Sequence, residues 1–185
     1  MNRKLFAAVL LVLFAARASA HRLDEYLQAT LISVEKDRVH VSMRLVPGVA
    51  VSSSVLAAID RNADGVISRA EQQAYAEHVL RDLSLTAEGN RLSPRIVAVE
   101  FPQVQAMKEG LGEIRIELSA DLPRGGTNRT LVLVNAHQSR IAAYLVNCLV
   151  PRDPDIRIVA QNRNEEQSVY RLDYVVGASR AARAH

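Results

Sequence analysis

Arg38-Val-His-Val-Ser-Met-Arg-Leu45 sets Val39, Val41, Met43 and Leu45 at every second position, with Arg38, His40, Ser42 and Arg44 between them. Successive side chains of an extended chain leave on opposite faces, so this alternation describes a strand with one face on a core and the other in water. Ile114, Ile116, Leu118 and Ala120 repeat the pattern between Glu113, Arg115, Glu117 and Ser119. More continuous apolar runs cover Tyr26 to Val34, Ile96 to Phe101, Thr130 to Asn135, Ala142 to Leu149, Ile156 to Ala160 and Val169 to Val175. Turn residues separate them, in Gly110-Leu-Gly112, Pro123-Arg-Gly-Gly126 and Pro151-Arg-Asp-Pro154. About eight short strands joined by such turns imply a mainly β, antiparallel, sandwich-like domain.

One segment breaks the strand pattern. Asp60-Arg-Asn-Ala-Asp-Gly-Val-Ile-Ser-Arg-Ala-Glu71 fills each position that an EF-hand calcium loop constrains. Asp60, Asn62 and Asp64 bring oxygens to the first, third and fifth positions, and Gly65 supplies the turn at the sixth. Val66 offers its carbonyl at the seventh, Ser68 stands at the ninth, and Glu71 brings a carboxylate to the twelfth. A hard divalent ion wants six to eight oxygens, and this segment assembles them without a distant residue. An Asp/Asn-rich surface turn rarely closes on a glutamate at that spacing.

Pro47-Gly48 ends the preceding strand, and Ser52 to Ser54 offer capping hydroxyls for an entering helix through Val55, Leu56 and Ile59. The exiting helix is expected from Ser68 to Asp82, with Ala76, Leu80 and Leu83 inward and Gln72, Gln73, Glu77 and Arg81 toward solvent. The expected fold is therefore α+β, with a helix–loop–helix at 51–83 inserted into a β domain spanning 21–176. Asp153-Pro-Asp155 lacks the glycine and closing glutamate of a second loop. With no paired loop, Ile67 at the eighth position must pack on the chain's own sheet or on a second molecule, the first being expected. Arg61 and Arg69 offset Asp60, Asp64 and Glu71, which points to weak calcium affinity and a structural rather than a sensory ion.

The ends of the chain bear on location. Arg3 and Lys4, the apolar run Leu5 to Ala16 and Ala18-Ser19-Ala20 form a secretory signal over 1–20, so a periplasmic or secreted mature chain starting at His21 is expected. Arg3, Lys4 and Arg17 account for the formal +3, which leaves 20 basic against 20 acidic residues in the mature chain. Scattered basic residues without aromatic interleaving exclude nucleic acid as a partner. Residues 177–185 are small, basic and aperiodic, as in a frayed tail. Cys148, the single cysteine, is expected to be buried among its apolar neighbours.

Catalytic motifs are missing, and no enzyme is expected. His137 and Ser139 share a short stretch for ordinary reasons of strand alternation. A terminal His21 would carry an amine and an imidazole able to chelate copper, with His40 or His137 as the closing ligand.

The start His21-Arg-Leu-Asp-Glu-Tyr-Leu-Gln-Ala, the single calcium loop, and Gln138-Ser-Arg-Ile-Ala-Ala-Tyr-Leu-Val-Asn-Cys-Leu-Val-Pro-Arg-Asp-Pro-Asp155 together resemble the exported N-terminal region of bacterial HupE/UreJ-like membrane proteins. That resemblance implies an outward-facing module beside a membrane partner involved in nickel handling. This sequence contains no hydrophobic span with intramembrane histidines, so transport is not expected of it alone.

Overall fold

Tyr26 to Val34 pairs residue for residue with Val39 to Pro47, from Tyr26 opposite Pro47 to Val34 opposite Val39. These strands, β1 (Tyr26–Val34) and β2 (Arg38–Pro47), form a hairpin whose alternate residues are buried. The computed structural model describes residues 24–177. The expected signal segment, His21 weighed as a copper ligand, and all but the first residue of the tail lie outside that range.

The described residues form ten strands and three helices. After the hairpin come α1 (Val49–Ile59), α2 (Arg69–Arg81), β3 (Leu83–Ala87), β4 (Asn90–Arg91), β5 (Arg95–Glu100) and α3 (Val104–Lys108). The remaining strands are β6 (Ile114–Asp121), β7 (Asn128–Asn135), β8 (Ala142–Cys148), β9 (Ile156–Arg163) and β10 (Val169–Val176). One sheet runs β5-β6-β2-β1-β8 and the other β4-β3-β7-β10-β9. All neighbours are antiparallel except β1 and β8, which run parallel from Tyr26 opposite Ala142 to Ile32 opposite Cys148. The sheets are thus mainly antiparallel, as expected, with this one parallel pair that strand periodicity does not reveal.

The two sheets share one core. Ile32, Val41, Met43, Leu45, Ile116 and Leu118 come from the first, and Leu85, Leu131, Tyr170, Leu172 and Tyr174 from the second. Burying apolar area on this scale is the main favourable contribution to folding. β8 is an edge strand, and side chains of β9 cover its backbone. Arg163 Nε donates to the Val146 carbonyl at 2.8 Å, and the Cys148 N–H donates to Gln161 Oε1 at 3.2 Å. An edge occupied in this way is a poor template for adding a foreign strand. Cys148 is half-buried rather than enclosed, and burial pushes its thiol up to about 11.

Helices α1 and α2 connect β2 to β3, and α3 packs on α1. Val55, Leu56 and Ile59 of α1, Tyr75, Ala76 and Val79 of α2, and Met107 of α3 join the same core. Helix α2 touches β5 of one sheet and β3 of the other, so it bridges the layers. Two expectations need correction here. α1 begins at Val49 with Gly48 as its N-cap, so Ser52 to Ser54 lie inside the helix and cap nothing. Ser52 Oγ and Ser54 Oγ instead donate back to the carbonyls of Val49 and Val51, a local bond open to serine within a helix. In α2 the inward face is Tyr75, Ala76 and Val79; Leu80 is only partly buried and Leu83 belongs to β3. After α3 the chain turns tightly at Gly112, where an added Cβ would lie 2.8 Å from Met107.

Candidate metal centre

The loop between α1 and α2 collects the residues singled out in the sequence. α1 closes with the Asp60 N–H on the Leu56 carbonyl at 2.8 Å. Asp60 Oδ1 accepts from the Asp64 N–H at 3.2 Å, and Oδ2 accepts from the Gly65 N–H at 2.9 Å. Asn62 Oδ1 accepts from the Asp64 N–H at 3.1 Å, while its amide nitrogen donates to Asp64 Oδ2 at 2.8 Å. Asp64 Oδ1 takes the Val66 N–H at 2.8 Å. Carboxylates that fold back on N–H groups a few residues ahead hold a loop in a fixed curl. Gly65 sits at φ +80°, a left-handed conformation that glycine adopts without steric cost.

Glu71 closes the ring. Its Oε1 accepts from the Arg61 N–H at 3.0 Å, and its Oε2 accepts from the Ser68 N–H at 2.9 Å and the Ser68 hydroxyl at 2.8 Å. Ser68 is the N-cap of α2 and Glu71 its third residue, and together they form a reciprocal capping box. The Ser68 N–H, then the Ser68 hydroxyl, with a smaller share from Arg61, hold the Glu71 carboxyl below the usual range, so it stays ionised in mildly acid solution. Asp60, Asn62, Asp64, Ser68 and Glu71 thus share one hydrogen-bonded loop, with Val66 exposed beside them. The donor set is all oxygen and carries three carboxylates, which suits a hard cation. Each carboxylate keeps lone pairs beyond those its N–H partners use.

Ile67 is half-buried and packs against the chain's own core. Asp153 and Asp155 are engaged by Lys36 at 3.1 and 2.6 Å, which ties the β1–β2 turn to the turn before β9.

A second polar cluster lies at the far end of α2. His137 follows β7, is fully buried, and uses both ring nitrogens. Nδ1 lies 2.7 Å from Asp82 Oδ2, and Nε2 lies 3.0 Å from the Tyr75 hydroxyl. Tyr75 in turn meets the Tyr26 hydroxyl at 2.8 Å. Around the backbone of His137, Gln28 Nε2 and the Tyr144 hydroxyl both donate to its carbonyl at 2.9 Å, and its N–H donates to Asn135 Oδ1 at 3.0 Å. His78, one turn before Asp82, places Nε2 3.4 Å from Asp82 Oδ2. Burial pulls the His137 imidazole below its ordinary value, against a smaller upward pull from Asp82. Desolvation raises the Tyr75 and Tyr26 phenols.

This network joins α2 to β1 and to the end of β7, and the sequence reading missed it apart from weighing His137 as a copper ligand. An i,i+4 pair, His78 and Asp82, was its visible trace. Of the two histidines weighed as closing a copper site, His40 is partly exposed and 3.7 Å from Glu35, and His137 is buried. Ser139 is exposed in the turn after buried His137, so the two do not share a strand edge. Among the described residues no helix is long and apolar enough to cross a membrane. No protein-family model and no curated protein matches the sequence.

Proposed function

We propose that this chain is an exported, non-enzymatic β domain whose inserted helix–loop–helix is a single EF-hand that binds Ca2+. Asp60, Asn62, Asp64, the Val66 carbonyl, Ser68 and Glu71 are its ligands. The ion supplies the central charge that three neighbouring carboxylates otherwise lack. The observation that carries this reading is the Glu71 carboxylate, bonded to Arg61 at the start of the loop and to Ser68 at the end.

A stabilising role is favoured over a switch. α1 and α2 bury their apolar faces in the core shared by both sheets, so separating them would expose that core. Arg61 and Arg69 weaken the attraction for a dication, and affinity in the range of extracellular modules, about 10⁻⁴ to 10⁻³ M, is expected. At about 10 mM Ca2+ such a site adds roughly 1.4–2.7 kcal/mol, a rise of about 3–11 °C in Tm for a domain of this size. Calorimetric titration and melting with and without chelator test this. One ion per chain and loss of the calcium response in Glu71→Ala are expected; no bound Ca2+ at millimolar supply overturns the reading.

A docking role in a HupE/UreJ-like membrane system is the second reading. It is favoured by Leu145, Leu149, Val150 and Val159, exposed apolar residues on and beside the edge strands β8 and β9. Capture of a co-encoded membrane protein, lost in Leu149→Ser with Val150→Ser, is the corresponding test.

A further inference from the structure

We propose that His78, Asp82 and His137 form a second cation site, chemically unlike the calcium loop, that takes a zinc-type divalent transition ion through two imidazoles and one carboxylate. Their ligand atoms all lie within 4.8 Å of one another. Bonds of about 2.0–2.1 Å in a tetrahedral zinc site put ligand atoms about 3.3 Å apart. The 3.4 Å edge between His78 Nε2 and Asp82 Oδ2 already has that length. The 2.7 Å edge between His137 Nδ1 and Asp82 is a hydrogen bond, and a rotation of the partly exposed carboxylate would open it.

His78 and Asp82 are one helical turn apart and so share a face, the spacing by which helices present paired ligands. The third ligand is fixed from behind. A ligating imidazole normally donates its other N–H to a second group, which sets ring orientation and tautomer. Tyr75 stands at His137 Nε2 in that position and is itself backed by Tyr26. The site also has a mouth, because the side chains of His78 and Asp82 are 50% and 31% exposed while that of His137 is 0% exposed. Two nitrogens, one oxygen and an open fourth position suit zinc, where a hard ion such as Ca2+ would want more oxygens.

Binding moves one proton within the His137 ring and turns the Tyr75 hydroxyl proton from Nε2 toward the Tyr26 oxygen. Without metal, Nδ1–H donates to Asp82 and Nε2 accepts from Tyr75. With metal on Nδ1, the proton moves to Nε2 and is donated to the Tyr75 oxygen, and the ring stays neutral. The site therefore reports its occupancy as a tautomer exchange.

The test is a zinc titration of the whole protein in saturating Ca2+, followed by calorimetry and by the ring ¹⁵N resonances of the histidines. Wild type is expected to take one zinc per chain with His137 changing from the Nδ1–H to the Nε2–H form. His78→Ala, an exposed substitution that leaves the fold standing, is expected to bind at least tenfold more weakly, the minimum seen even for supporting groups of metal sites. Glu71→Ala is expected to bind zinc as wild type does, so the outcome is independent of the calcium reading. Equal zinc binding by wild type and His78→Ala, zinc lost only in Glu71→Ala, no uptake by wild type, or an unchanged His137 tautomer would each overturn the proposal.

Discussion

Replacing Tyr75 by Phe removes one oxygen and keeps the ring. That oxygen lies 2.8 Å from the Tyr26 hydroxyl and 3.0 Å from His137 Nε2, in a side chain only 2% exposed. Water has no route to replace it, so both partners are left without this bond. A buried polar group deprived of its partner costs about 1–3 kcal/mol, and two of them should cost about 2–4 kcal/mol after partial relaxation. For a domain of this size the loss lowers Tm by about 5–15 °C. Tyr26→Phe removes only the outer end of the chain and leaves Tyr75 bonded to His137, so about 1 kcal/mol is expected. The double variant should cost less than the sum of the two, because the hydroxyl orphaned by one change is deleted by the other. Urea unfolding of all four proteins at one pH gives these values. A Tyr75→Phe loss below about 0.5 kcal/mol with an unchanged urea slope would show that the network contributes nothing net to stability.

Acidification should act through the same network. The folded state holds His137 below its ordinary value, so between about pH 6.5 and the lower folded value the unfolded chain binds the extra proton. Stability from this group is complete above about pH 6.5 and falls, by at most about 1.4 kcal/mol per unit, as pH drops below it. The groups facing it are Asp82, His78, Tyr75 and Tyr26; Glu71, Asp153 and Asp173 are also held low and lose their contribution only at more acid pH. Urea midpoints at pH 7.5, 6.5 and 5.5 should fall in that order, and a flat series contradicts the assignment. Gly65→Ala meets no neighbouring atom, but its φ of +80° is strained for alanine, at roughly 1–2 kcal/mol. It should melt early and bind Ca2+ more weakly, and full retention of both would mean the loop does not need its turn. Cys148, with its thiol raised to about 11, should alkylate far more slowly at pH 8 than a free thiol, measurable by mass spectrometry against glutathione.

Much of the sheet structure is visible in the sequence because burial on one face imposes a period of two. β2 and β6 carry it cleanly and occur where expected, as does β1 over Tyr26–Val34. Periodicity does not name a strand's neighbour, and so the parallel pairing of β1 with β8 could not be read. Leu83-Ser-Leu-Thr-Ala87 alternates as well, but it follows α2 so closely that Leu83 read as its last apolar residue. α3 has five residues, too few for a helical period to register. The loop residues were legible because their chemistry is local, fixed by spacing within a dozen positions. The His137 network was not, because it gathers Tyr26 from β1, Tyr75 and Asp82 from α2 and its cap, and Asn135 from the end of β7. Only the fold brings them together.

The pairing of Tyr26–Ile32 with Ala142–Cys148 also sets an order of events. A chain that emerges N-terminus first can close the β1–β2 hairpin early, but the other flank of β1 stays bare until β8 at Ala142–Cys148 has arrived. Long-range parallel contacts form slowly, since the entropy of closing so large a loop precedes any gain. During that interval β1 offers an unpaired edge, and a nascent molecule would be exposed to proteases and chaperones at the first of its described strands.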